Sequence, residues 1–425
     1  MENAKELTGA KRDMRRMDVR QMNMRPMNAM LAAMVGAALL FAIGCGGGSS
    51  SHSNTVTTTT GSNVQAITVN AGPAGNYVNG AFTSVTLCVP GTTTCQTISG
   101  VLVDTGSPGL RLLSSALTGV SLPQQKASDG NPVVECLPFV SGVTWGPVET
   151  ADIQISGEKA SSVPVQVISG TAYPIPTACA NLGSVQDTLA QLGANGILGV
   201  GLGAQDCGDG CATTGATNPG LYYECPASGC VVAAEALSQQ VANPVASFPT
   251  DNNGVIVELP AASAPEATLS GSLIFGIGTQ SNNGLGSATV YATDANFNFI
   301  TTYKGHAYNT SFLDSGSNGL FFLTAASSGI ATCTDATSFY CPTSTQNLSA
   351  VNQGANGVGS STVNFSVANA DNLFNSSSDT VLGELAGPNS QPGFDWGLSF
   401  FYGRNVFTAI EGKSTPGGVG PYWAY

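Results

Sequence analysis

The chain of 425 residues is short of charge, shorter still of cations, and nearly devoid of histidine. Charged residues make up 9% of it, and seven of its 13 Lys and Arg lie within the first 25 positions. After Cys45 only six basic residues face 22 acids, so the body of the protein is strongly anionic. Such a surface repels phosphate backbones, and nucleic acid is excluded as an expected partner. The same scarcity of cations limits charge repulsion at low pH, where carboxylates are neutral, so acid tolerance is permitted. Histidine occurs only at 52 and 306. A His-based triad would rest on His306 alone, no G-x-S-x-G elbow is present, and a His-rich zinc site is ruled out by count. His306, in YKGHAY, reads as part of a hairpin turn. Long helical patterns are also scarce, whereas Gly (53 residues), Thr, Ser, Val and Asn are abundant, the profile of an all-β protein with many turns.

The N-terminus reads as an address. Its basic stretch precedes a short apolar run, Met30–Ile43, and then Gly44-Cys45. Ala42-Ile43-Gly44-Cys45 resembles a bacterial lipobox, which implies a lipoprotein signal peptide over 1–45 with lipid on Cys45. Gly46 favours an outer-membrane destination, periplasmic or surface-facing. An ordinary cleaved signal peptide is the alternative. A Gly/Ser/Thr-rich tether is expected over 46–64. Ten cysteines then remain, an even count that in an exported chain predicts about five disulfides. Cys88 and Cys95 flank one short turn, and Cys333 and Cys341 bound another small loop. The four between 207 and 230 allow three pairings. Asp251-Asn252-Asn253-Gly254 reads as a turn rather than a calcium loop.

The chemistry-bearing signal is an internal repeat. Val103-Asp104-Thr105-Gly106-Ser107-Pro108-Gly109-Leu110 matches Leu313-Asp314-Ser315-Gly316-Ser317-Asn318-Gly319-Leu320. Each copy is an apolar strand running into a glycine turn with an acid at its tip. An Asp among apolar strands is costly unless hydrogen-bonded, and the following hydroxyls and backbone N–H groups supply those bonds. One such turn proves little; two copies, in matching contexts, predict two lobes related by a pseudo-twofold axis with the acids facing each other.

These paired motifs resemble the pepsin-like aspartic peptidases. Asn195–Gly201 (NGILGVG), Gly271–Gly278 (GSLIFGIG) and Trp396–Ile410 follow in the order of that family's further landmarks, and Val232–Ala242 has the periodicity of a packed helix. The resemblance spans about 65–425. It implies an all-β, two-lobed pepsin-like acid-protease fold with a few short helices, an N-terminal lobe over 65–260 and a C-terminal lobe over 261–425. The chain also resembles a branch of bacterial lipoproteins, a resemblance that implies no activity.

What the pepsin-like resemblance implies is a membrane-anchored aspartic endopeptidase, expected as a monomer acting on peptide or unfolded protein, with no metal or cofactor. Asp104 is the implied base and Asp314 the implied acid. Thr105, Gly106, Ser107, Ser315, Gly316 and Ser317 would support the dyad. The flap and substrate surface would include Phe139, Ser141, Gly142, Trp145 and Arg111. Two positions depart from the family: Phe139 stands where it has the flap Tyr, and Arg111 where it has that residue's Trp partner. Trp145 is a candidate aromatic cover, with core packing as its other reading. The departures keep open a rival from another class: a catalytically silent envelope lipoprotein that binds peptide, protein or glycan.

Overall fold

The computed structural model describes residues 59–425, so the expected signal peptide, Cys45, His52 and most of the tether lie outside the described residues. Within the described part, the end of the expected tether is already built into the fold. Asn63 is buried and its Nδ2 donates to Phe275 O at 2.9 Å, and Thr59 Oγ1 donates to Glu258 Oε2, also at 2.9 Å.

The chain is mostly strand. The first half contributes β1 (Val64–Val69), β2 (Ala81–Cys88), β3 (Cys95–Asp104), β4 (Pro108–Leu113), β5 (Val133–Phe139), β6 (Gly142–Ile155), β7 (Glu158–Ile168), β8 (Gly196–Val200), β9 (Tyr222–Glu224) and β10 (Val231–Val232). The second contributes β11 (Gly254–Leu259), β12 (Leu269–Phe275), β13 (Val290–Ala292), β14 (Phe299–Tyr303), β15 (His306–Leu313), β16 (Leu320–Phe322), β17 (Gln346–Gln353), β18 (Ser360–Val367), β19 (Ala386–Gly387), β20 (Phe394–Trp396), β21 (Arg404–Ala409), β22 (Ser414–Thr415), β23 (Gly418–Val419) and β24 (Tyr422–Ala424). The described α-helices are four residues each.

Each acid motif sits in the same local architecture. In the first lobe β8 runs between β3 and β4, parallel to β3 with Leu102 opposite Ile197 and Asp104 opposite Gly199, and antiparallel to β4 with Gly109 opposite Gly199. In the second, β20 runs between β15 and β16, parallel to β15 with Phe312 opposite Asp395 and Leu313 opposite Trp396, and antiparallel to β16. β8 reads GILGV because it is buried throughout and a fully enclosed strand has no face for polar residues. Two glycines make the crossing possible. A Cβ on Gly199 would lie 2.7 Å from Gly109 O, and one on Gly397 would lie 2.0 Å from Gly319 O. The described chain is therefore all-β, two-lobed and internally repeated, as the paired motifs implied.

A sheet ordered β2-β1-β12-β11-β21-β24-β13 draws strands from the beginning, middle and end of the chain. β11 pairs with both β12 and β21, so residues on either side of 260 are hydrogen-bonded neighbours in one sheet. The central hydrophobic cluster runs through this region, from Ile67 and Val103 to Leu313, Trp396 and Trp423.

Five disulfides form: Cys88–Cys95, Cys136–Cys179, Cys207–Cys211, Cys225–Cys230 and Cys333–Cys341. The helix expected over Val232–Ala242 does not form. Val231 and Val232 instead pair with Glu224 and Tyr223, and only Leu237–Gln239 makes a single 3₁₀ turn. Val232 and Leu237 are exposed, so the periodic apolar residues never share a buried face. His306 stands opposite Tyr303 at the β14–β15 hairpin, as its sequence context predicted.

Candidate active site

Asp104 and Asp314 end their strands facing each other. Both are buried, at 6% and 5% exposure, and each carboxyl lies against the glycine of the opposite acid turn. Gly106 and Gly316 permit this approach. A Cβ on Gly106 would lie 2.5 Å from Asp314 Cγ, and one on Gly316 would lie 2.9 Å from Asp104 Cγ.

The carboxyls receive matching donors. Gly106 N–H donates to Asp104 Oδ1 at 2.7 Å, and the Ser107 hydroxyl donates to Oδ2. Gly316 N–H donates to Asp314 Oδ1 at 2.7 Å, and the Ser317 hydroxyl reaches Asp314 Oδ2 at 2.9 Å. Burial, then the charge of Asp314, pushes Asp104 well above the usual carboxylate range.

Thr105 and Ser315 lock the lobes beneath the dyad. Ser315 N–H donates to Thr105 Oγ1 at 2.9 Å, and Thr105 N–H donates to Ser315 Oγ at 3.1 Å. Each hydroxyl in turn donates to the strand that carries the opposite acid: Thr105 to Leu313 O at 3.2 Å, Ser315 to Val103 O at 2.8 Å. Four bonds thus cross the interface in reciprocal pairs, all buried, so the separation of the acids is set by backbone rather than by long side chains.

The residues expected over the dyad divide. Phe139 and Gly142 close the β5–β6 hairpin, with Ser141 exposed in its turn. That hairpin is tied to a neighbouring loop: Val143 N–H donates to Ser184 O, and Gln186 N–H to Val143 O. Gly142 is required there, because a Cβ would meet Ser184 O at 2.2 Å. Trp145 is not a cover. It is fully buried, donates from Nε1 to Tyr173 O at 3.0 Å, and packs edge-on against Tyr223 beside the Cys136–Cys179 bridge.

Arg111 likewise presents no surface to a substrate, being completely buried. Its Nη1 donates to Pro108 O at 2.8 Å, and its Nη2 reaches Glu135 at 2.8 Å and Asp206 at 2.6 Å. The guanidinium also lies 5.8 Å from the centroid of the Phe139 ring. It therefore links the first acid turn to the hairpin strand by charge. Burial, reinforced by Glu135, holds Asp206 well above the usual range, and Tyr222 donates to it at 2.7 Å.

Two further residues belong to the site. Asp395, on β20, is buried with its Oδ2 2.7 Å from Ser317 Oγ. Overlaying Asn195–Gly201 on the second lobe sets Asp395 opposite Ile197, an acid at an apolar position, and that mismatch is the one mark of it in the sequence. Tyr77 is the second. It packs edge-on against Phe82, and burial, then the charges of Asp314 and Asp104, raises its phenol. Nothing local to Tyr77 announces this. Among the described residues, one group of three potential metal ligands clusters, Cys333, Cys341 and Asp371, but its two thiols are joined in a disulfide.

Among solved structures, the chain is similar to an aspartic proteinase from Irpex lacteus, at 15% identity and a TM-score of 0.48, over 85% of this chain and 96% of that one. No curated protein matches it. A family model described as "Protein of unknown function (DUF3443)" matches residues 59–425, and the chain belongs to that family.

Proposed function

We propose that the protein is an aspartic endopeptidase that hydrolyses peptide bonds with a water activated by Asp104 and Asp314, tethered to the cell envelope through a lipid on Cys45. One observation carries the catalytic part: the two buried carboxyls face each other across the lobe interface, each against the opposite turn's glycine and each accepting from a glycine N–H and a serine hydroxyl of its own turn. Two carboxylates this close cannot both ionise, so the pair holds one proton between them. The ionised member takes a proton from water as that water attacks the peptide carbonyl. The protonated member donates to the carbonyl oxygen, and a later transfer to nitrogen releases the amine. The base and acid roles belong to the pair. Substrates would be peptides or unfolded proteins that can enter as extended chains, and the protein would act as a monomer on the outer membrane.

A second reading is favoured by one feature, the replacement of the family's Tyr–Trp flap pair by a hairpin fixed to an ionic cluster. On that reading the protein is a silent binder of peptide, protein or glycan at the envelope. Digestion of an unfolded protein between pH 3 and 7 separates the two. The peptidase cleaves, and Asp104→Asn abolishes the cleavage; absence of cleavage at every pH, or equal cleavage by both forms, leaves the binding reading.

A further inference from the structure

The proposed chemistry uses two acids, but a third is wired to them. Ser317 Oγ lies 2.9 Å from Asp314 Oδ2 and 2.7 Å from Asp395 Oδ2. A serine hydroxyl owns one hydrogen. Were both carboxyls ionised, one of these two short contacts would set lone pairs against lone pairs. Both are hydrogen bonds only when one carboxyl carries a proton and donates it to Ser317 Oγ, leaving the serine to donate to the other.

The surroundings choose Asp395 as that donor. Asp314 has the Gly316 N–H on its other oxygen, whereas Asp395 Oδ1 is buried with no hydrogen-bond partner. An ionised oxygen left bare in the interior is far costlier than an unpaired neutral carbonyl. The strand neighbours of Asp395 are Phe312 and Phe321. Burial first, then the charges of Asp314 and Asp104, both acids, push it well above the usual carboxylate range. Its register partner in the first lobe is Ile197, so the repeat itself calls for an uncharged group here.

We propose that Asp395 is a neutral third carboxyl that donates its proton to Ser317 Oγ and so commits the Ser317 proton to Asp314. It is a positioning residue for the dyad, and its role in turnover rests on the peptidase reading above. Ionisation of Asp395 would turn the serine proton into a contested one and place another negative charge beside Asp314. Asp395 thereby sets an upper pH limit on the ordered dyad.

The test is infrared spectroscopy of the folded protein at pH 7, which reads protonated carboxyls whether or not any substrate is cleaved. Wild type and Asp104→Asn are expected to show a protonated-carboxyl carbonyl stretch that Asp395→Asn lacks. A spectrum of Asp395→Asn identical to wild type in that region overturns the proposal. The Asn side chain can still donate to Ser317, whereas that of Asp395→Leu cannot. Where cleavage is measurable, Asp395→Asn is expected to keep kcat in acid, while Asp395→Leu loses on the order of tenfold or more with little change in KM. Equal losses in the two variants refute the positioning role. Should the Leu variant fail to fold, Asp395→Ala takes its place, and the infrared comparison decides regardless. A wild type that never cleaves sinks the peptidase reading while leaving that comparison intact.

Discussion

Removing the Ser315 hydroxyl perturbs the lobe interface at its most economical point. Ser315→Ala deletes one oxygen and strands two buried groups, the Thr105 N–H that donates to it and the Val103 carbonyl that accepts from it. Ser315 is wholly buried and Thr105 nearly so, which leaves little room for water to substitute. Each unsatisfied backbone group costs about 1–3 kcal/mol, so with two of them the variant should lose about 2–6 kcal/mol. The loss falls on the contact that holds the two acid turns together, so dyad geometry should loosen as well. Urea unfolding followed by tryptophan fluorescence reads it, because Trp396 pairs in register with Leu313 beside the interface. Ser315→Thr is the control. Thr105 occupies the mirror position and makes the same pair of bonds, so this variant should keep most of the stability. A Ser315→Ala loss below about 0.5 kcal/mol, within the range of ordinary surface changes, would refute the reasoning that these bonds set the interface.

Other perturbations follow from the same geometry. Gly106→Ala drives a methyl into Asp314, where a Cβ would stand 2.5 Å from its Cγ, and should lower cleavage about a hundredfold or more while circular dichroism stays unchanged. Arg111→Met leaves Glu135 and Asp206 without their cation, and melting at pH 7 should report a loss of about 3–5 kcal/mol that shrinks in acid as Asp206, held above the usual range by burial and then by the charge of Glu135, takes up a proton. Burial raises Glu149 to about 7, Glu235 to about 7 and, helped by the neighbouring Asp251 carboxyl, Glu158 to about 7. Their folded values lie above the unfolded 4.5, so their contribution is complete below pH 4.5 and lost as pH rises through 7. Thermal melts should therefore show a higher midpoint at pH 5 than at pH 8, and Gln at all three positions should flatten the difference. Asp152, held low by backbone N–H groups from Ser162 and Gly91, acts oppositely and withdraws its contribution as pH falls below 3.8.

The repeat around Asp104 and Asp314 was legible because its two copies carry the same small residues for the same reason. Gly106 and Gly316 each face the opposite acid, and Thr105 and Ser315 each cap the opposite strand, so the symmetry of the site is written twice in the chain. The even cysteine count foretold five bridges, and the structure pairs the ambiguous four as near neighbours in sequence. What escaped reading depends on contacts distant in sequence. Arg111 stood out as a substitution, but its partners, Glu135 and Asp206, are 24 and 95 residues away, and only tertiary structure turns the three into one buried cluster. Trp145 carries no local mark of whether it covers a cleft or fills a core; the walls around it decide. The stretch 232–242 has helical spacing, yet strand pairing at Val231–Val232 and backbone bonds to the Cys207–Cys211 loop overrode it, Glu235 N–H donating to Cys211 O. Asp395 hides beside a recognisable landmark, one residue before Trp396.

Whether Asp104 and Asp314 act as one unit on a peptide bond decides the proposed function. The measurement is the cleavage rate of a single peptide substrate at the acid optimum by wild type, Asp104→Asn and Asp314→Asn, each verified as folded. Either substitution alone is expected to remove nearly all activity, on the order of a thousandfold or more, because groups that act as a unit fail together. Cleavage by either variant at the wild-type rate would contradict it.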